Sequence, residues 1–454
     1  MAPAATQSRE ESRARGRSRV DTTRAASGPL WRQYLRLLGP GLVTGASDDD
    51  PSGIATYAQA GAKFGFGLLW SALVTLPLMA AVQEMCDRTA LTTGKGLGEL
   101  VVRRFHRAGR IVVTVLLVAL IVANALNIAA DLLAVGAGMH LLHAGPTGLW
   151  AFLGGLGVTA AVMAGSFEHL AKAFKLLCLA LVGYVGVLLI SRPDWLSVVS
   201  HTFVPHLEVS SAYLGLLVAV LGTTISPYLF FWQSAHRLEE MRDEPGSNGR
   251  AVPLRERTDD MARKKRRSSR IDVFSGMALS NVVMFAIIVA TAQTLGRHGQ
   301  HDIGGAAQAA SALKPVAGSF AQLLFALGFI GSGMLAIPVL AGSGAAGMAG
   351  LLRRRWGFSR SLRRAPVFYG LVAIGTAGGT LLSLLHVNPI HLLVFVALIN
   401  GLAAAPFLVV VLLIANDRSI MGGRVNGRAA NTLGWLTAAL MGAAAVSLIF
   451  TGGG

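Results

Sequence analysis

The sequence predicts an all-α polytopic membrane protein of eleven transmembrane helices, ten forming a 5+5 inverted repeat and one appended. Three observations carry that expectation. The chain of 454 residues is 53% hydrophobic and only 14% charged, whereas soluble domains carry about 25% charged residues. Apolar segments of spanning length recur from residue 36 to the end. The first and the sixth are interrupted midway by proline and polar residues, and paired interruptions of this kind mark the two halves of an inverted repeat.

In chain order, residues 1–35 are rich in Arg, Ser, Thr and Ala and lack an apolar core, so they read as a basic disordered cytoplasmic tail and not a secretory signal. Apolar segments follow at about 36–60, 64–85, 111–140, 147–166, 168–191, 211–236, 271–295, 318–350, 366–386, 389–415 and 430–451, each near the roughly 20 residues that cross a bilayer. Only a turn around Ser166-Phe167-Glu168 separates the fourth from the fifth. The first repeat is then 36–210. The second is 211–415, with a basic cytoplasmic loop at 237–270, and 416–454 carries the eleventh helix. The 54 glycines suit close helix approach in lipid.

The basic residues orient the chain. With the tail inside, the inside segments are the tail, 86–110, the 166–175 turn, 237–270, 351–365 and 416–429. Of the 40 Lys and Arg residues, only Lys63, Arg192, Arg297 and Lys314 are left for the outside face. The asymmetry places the N-terminus in the cytoplasm and the C-terminus outside, as expected for a bacterial-type plasma membrane. The net charge of +17 could otherwise point to nucleic acid. Its clusters, Arg263–Arg267 and Arg353–Arg355, read instead as topology determinants beside an anionic leaflet. No nucleic-acid partner is expected, and no obligate protein partner is inferred. Cys86 and Cys178 form neither a metal-ligand spacing nor a disulfide framework.

The chemistry sits at the interruptions. Asp48-Asp49-Asp50-Pro51-Ser52-Gly53 lies in the middle of the first apolar segment, where an acid at the bilayer centre costs about 2.5–3.5 kcal/mol. Pro51 removes a backbone donor and disfavours the helical conformation at Asp50, so the helix opens there, under cover of protein or water. The sixth segment carries Thr223-Thr224-Ile225-Ser226-Pro227-Tyr228. In an inverted-repeat transporter the substrate binds between two such breaks, and half-helix carbonyl ends coordinate cations. Successive helical residues point about 100° apart. Asp50 is therefore expected to face the ion, Asp49 to line the approach or support the site, and Asp48 to hydrogen-bond a neighbouring helix or see the ion. Asn124, Asn127 and Asp131 share one helix face. Asp131 reads as functional by its cost, Asn400 as within reach of the site, Gln233 as lining the inner vestibule, and Tyr57 as packing.

Leu38-Gly39-Pro40-Gly41-Leu42 followed by Asp50-Pro51-Ser52-Gly53 resembles the first helix of the natural resistance-associated macrophage protein (NRAMP) family, divalent-metal transporters whose motif there reads Asp-Pro-Gly-Asn. Gln83, Arg88 and Thr93-Gly94-Lys95-Gly96-Leu97 fit the second-helix stretch, and Ser226-Pro227-Tyr228 stands at the family's Met-Pro-His. The resemblance covers about residues 36–450. It implies the leucine-transporter-type fold, alternating access and a central metal site at Asp50, Gly53, Thr223 and Ser226, Thr223 through its backbone carbonyl. Gly53 replaces a metal-binding Asn, Ser226 a thioether Met, and Tyr228 a His implicated in proton movement. Asp131 matches one of two acidic proton-route residues, and Ile128 replaces the other.

What remains is a carboxylate, a hydroxyl and carbonyls, hard ligands suited to Mg²⁺, Ca²⁺ or Mn²⁺. A roomy site with one acid suits a partly hydrated Mg²⁺, as in the NRAMP-related magnesium transporters. The expected function is transport of Mg²⁺, with Mn²⁺ also carried, without proton coupling. The inside-negative potential supplies about 4.6 kcal/mol per 100 mV for a doubly charged ion. No cofactor is expected, since the ion is cargo. The alternatives are a proton-coupled Mn²⁺/Fe²⁺ importer and an organic-substrate transporter of the same fold. Asp50 disfavours the latter by repelling a carboxylate. No metalloprotease spacing, nucleophile motif or phosphate loop appears, so no enzyme is expected.

Overall fold

The computed structural model describes residues 40–165, 182–190, 193–385 and 387–450. The basic tail, the turn at Ser166, Cys178 and most of the fifth apolar segment lie outside the described residues. Every regular element among those described is helical. The main ones are α1 (Pro40–Asp48), α2 (Pro51–Phe64), α3 (Trp70–Thr93), α4 (Arg107–Leu141), α5 (Thr147–Met163), α6 (Ser211–Thr224), α7 (Pro227–Asp243), α8 (Asp259–Thr294), α9 (Ala321–Leu351), α10 (Pro366–Leu382), α11 (Pro389–Ala415) and α12 (Arg428–Phe450).

Among the described residues, six helical stretches are long and apolar enough to span a membrane: Arg107–Leu141, Ser211–Asp243, Asp259–His298, Gly318–Leu351, Pro389–Ala415 and Arg428–Leu448. Thr147–Met163 and Pro366–Leu382 are shorter apolar helices. The chain is thus a multi-pass integral membrane protein. The expected count of eleven exceeds these six. Three acids interrupt the α1–α2 segment, and Gln83, Glu84, Asp87 and Arg88 make the far half of α3 polar.

Both interruptions are real breaks. Helix α1 stops at Asp48 and α2 restarts at Pro51, with Asp50 extended at φ −68° and ψ 168°. Helix α6 stops at Thr224 and α7 restarts at Pro227, with Ser226 extended. In each case proline opens the second half, where its missing N–H is no loss. Backbone-close packing holds the broken helices. A side chain on Gly45 would overlap the Gly276 backbone of α8, and one on Gly222 would overlap Ala397 and Gly401 of α11. Glycine is what permits that approach. Gly222→Val should therefore separate α6 from α11. We expect a sharp fall in the yield of monodisperse protein, or a lowered Tm in detergent, because the obstructing atoms are backbone and overpacking costs about 1–3 kcal/mol even against mobile side chains.

Two boundaries differ from the sequence expectation. The basic loop placed at 237–270 is largely helical, since α7 runs on to Asp243 and α8 begins at Asp259. Charged residues extend these helices because their heads find partners. Lys265 pairs with Glu240 and Glu244, each at 2.7 Å. The Thr93–Leu97 motif, for its part, ends α3. Gly94 adopts the left-handed conformation at φ 65° and its N–H caps Ala90 O. Arg88 donates to Arg424 O at 2.6 Å and to Asn426 Oδ1.

Candidate metal site between two broken helices

Asp50 caps α2. Its Oδ1 accepts from Gly53 N at 2.9 Å and from the Ser52 hydroxyl at 2.6 Å. Its Oδ2 takes the Tyr228 phenol of α7 at 3.1 Å, so one side chain joins both breaks. A carboxylate offers about four lone-pair positions. Three are directed to donors, which leaves Oδ2 one position for a cation.

The remaining lining is oxygen. A methyl group placed on Gly53 would come 3.0 Å from Thr223 Oγ1 and 3.3 Å from Asp48 O, so Gly53 is where the two broken segments come into close contact. The Thr223 hydroxyl and the nearby Tyr57 hydroxyl close no hydrogen bond. The Ser226 hydroxyl turns back on its own helix, donating to Gly222 O at 2.6 Å and Thr223 O at 3.0 Å. Its lone pairs stay available, while the Thr223 carbonyl already accepts one proton. The carbonyl ends of α1 and α6 both close on this point, where a helix terminus carries partial negative charge. Asp50, Thr223, Ser226 and Tyr228 are each at most 1% exposed, so the site is closed to both sides.

The other acids divide as their directions require. Asp48 Oδ2 and Asp49 Oδ1 both reach the Ser280 hydroxyl of α8, at 2.6 and 3.1 Å. Asp131 on α4 is buried with neither oxygen hydrogen-bonded, and it lies within reach of the Asp50 charge. Among the described residues no three His, Cys, Asp or Glu side chains converge as a ready metal cluster. Any ion held here therefore relies on Asp50 with carbonyls, hydroxyls and water.

Asn400, expected within reach of the site, and Gln233, expected to line the inner vestibule, both have protein partners. Asn400 exchanges amide hydrogen bonds with Asn127 of α4 at 3.0 and 3.3 Å. Gln233 belongs to a buried network further along α7. It donates to Asp87 Oδ1 at 2.8 Å and accepts from Thr44 of α1 at 2.5 Å. Arg237, 3% exposed, reaches Asp87 at 2.5 Å and Asp272 at 2.8 Å. Asp272 also accepts from Gly41 N at 2.8 Å, and Ser269 donates to Asp87. This network ties α1, α3, α7 and α8 together on the Arg-rich side of the breaks. Sequence reading missed it because Asp87, Arg237 and Asp272 fall at segment ends and pass for loop charges. The available signal was a lone acid or base within one turn of an apolar run.

The Natural resistance-associated macrophage protein-like (Nramp) family profile matches residues 41–451. The chain belongs to the Nramp family. A Deinococcus radiodurans relative, the divalent metal cation transporter MntH, is 27% identical to this Nramp chain, over 92% of it and 91% of the relative. A crystal structure of an Eremococcus coleocola manganese transporter superposes with a TM-score of 0.68 at 18% identity, covering 94% of this chain and 88% of the other. Mhp1, a nucleobase-cation-symport-1 family transporter, gives 0.52 at 13% identity, with 91% of each chain covered. At these identities the structures speak for the fold alone. The relatives are transporters and not enzymes, in line with the expectation for this Nramp chain, and transported ions are substrates of such proteins rather than cofactors.

Proposed function

We propose that this Nramp-family protein is a secondary transporter of divalent metal cations by alternating access, with Mg²⁺ as its principal cargo and Mn²⁺ also carried. The reading includes eleven spans, the 5+5 repeat and an N-terminus inside with the C-terminus outside. The observation that carries it is the junction of the breaks: one buried carboxylate with a free position, the close approach of the two breaks at Gly53, and carbonyl and hydroxyl oxygens around it. No sulfur or imidazole enters that set. Mg²⁺ keeps several waters and needs only one or two carboxylates, and a hard oxygen site suits it.

The absence of proton coupling rests on Tyr228. Its phenol donates to Asp50 or to Ser47 O, both at 3.1 Å, and a phenol, ordinarily titrating near pH 10, is a poor relay at neutral pH. A second reading, proton-coupled Mn²⁺ import, is favoured by the relatives' names and by the unpartnered carboxylate of Asp131. Proteoliposome uptake of Mg²⁺, Mn²⁺ and Fe²⁺ with a pH-sensitive dye inside separates the two. Mg²⁺ uptake without acidification is expected. Absent Mg²⁺ uptake with strong Fe²⁺ uptake and an acidified lumen would overturn the proposal. Ser226→Met should add a soft ligand and shift the preference toward Cd²⁺ over Mg²⁺ by about tenfold or more, read by competition uptake.

A further inference from the structure

On the Arg-rich side of the membrane, away from the metal site, three segments enclose a basin of about 1010 Å³. Lys95 and Arg103 line it from the stretch after α3, Arg242 from the end of α7 and Arg250 from the α7–α8 connection. The loop after α9 adds Arg353, Arg354, Arg355, Arg360 and Arg364. Glu99 is the one acid in the lining, and its carboxylate accepts from Trp356 Nε1 at 3.0 Å. Arg250 pairs with Glu256 at 2.8 Å, and Arg242 stacks 4.6 Å over the Trp356 ring. The other basic side chains form none of the ion pairs found among the described residues, and Arg360 Nε is buried with no acceptor.

Topology alone does not account for this arrangement. Charges that orient helices need only lie on the correct side, and spreading them along the surface avoids mutual repulsion. Here three separate segments bring theirs into one concavity, where low-dielectric walls focus the field. Trp356 is buried beneath Arg242 and beside Gly96, so the floor offers no open ring for a base and no slot for an acyl chain. What the lining does offer is a set of guanidinium forks, which match phosphate oxygens bidentately. We propose that this basin is a binding site for a phosphate-bearing polyanion, held by Arg354, Arg355 and Arg360 together with their neighbours across the three segments. Such a ligand would cross-link the inner half-helix α7 to the loop after α9.

The test uses the full chain purified in detergent with divalent metal removed. Tripolyphosphate binding is measured by calorimetry for wild type and for the Arg354→Gln/Arg355→Gln/Arg360→Gln variant. Nanodiscs containing phosphatidylglycerol or only phosphatidylcholine form the lipid arm, with bound lipid counted by native mass spectrometry. Saturable tripolyphosphate binding, weakened about tenfold or more in the variant, supports a free polyphosphate. Phosphatidylglycerol retention that the variant loses, with no tripolyphosphate binding, overturns the polyanion in favour of a singly charged lipid headgroup. An Arg263→Gln/Arg266→Gln/Arg267→Gln variant, which likewise removes three charges, controls for net charge. If it weakens binding as much as the basin variant, or if neither probe binds, the proposal fails.

Discussion

Asp50→Asn should fold and fail to transport. The amide keeps the oxygen that caps α2 through Gly53 N and Ser52, so the loss of helix stability stays small. It removes the charge and the free Oδ2 position that a cation would use. Mg²⁺ and Mn²⁺ uptake should fall on the order of 100-fold or more, a direct ligand being worth at least the 10–100-fold of its supporting groups. Asp50→Ala should lose both functions, adding a cap loss of about 1 kcal/mol. The comparison of the two in proteoliposome uptake, alongside Tm in detergent, separates cap from ligand. Transport by Asp50→Asn at the wild-type rate would remove Asp50 from the ion's path.

Arg237→Ala should give the largest change in stability. Arg237 neutralises Asp87 and Asp272, each 1% exposed, from a position itself 3% exposed. Breaking a buried ion network by removing one partner costs about 3–5 kcal/mol, because the remaining charges stay desolvated. The consequence is also conformational, since these groups bind α1 and α7, the two half-helices on the Arg-rich side of the breaks, to α3 and α8. Cys86 adjoins Asp87 and is fully buried. In a Cys178→Ser background, its modification by a membrane-permeant thiol reagent should accelerate strongly in Arg237→Ala. An unchanged Tm and an unchanged rate of Cys86 modification would show that the network does not hold this side closed.

The legible part of this protein was what local chemistry determines. Proline and a run of acids cannot continue a lipid-facing helix, so the breaks at Asp50 and Ser226 stood in the sequence itself. So did the oxygen-bearing residues proposed to hold the ion, because they lie within four positions of each break. Membrane embedding followed from composition. The partners were not legible, because they lie far apart in sequence. Thr44 meets Gln233 across 189 residues, Gly41 meets Asp272 across 231, and Asn127 meets Asn400 across 273. A hydrogen bond is set by the last ångström of approach, which only the packing of α1, α4, α7, α8 and α11 supplies. That packing sent Asn400 and Gln233 to structural partners, turned the Ser226 hydroxyl back onto α6, and drew Asp87, Arg237 and Asp272 from the segment ends into a buried network. The sequence by itself determined where the two helices break and which oxygen-bearing residues lie at the breaks. Which of those side chains have partners was decided by tertiary structure, because a buried polar group must satisfy its hydrogen bonds and only the fold determines with whom.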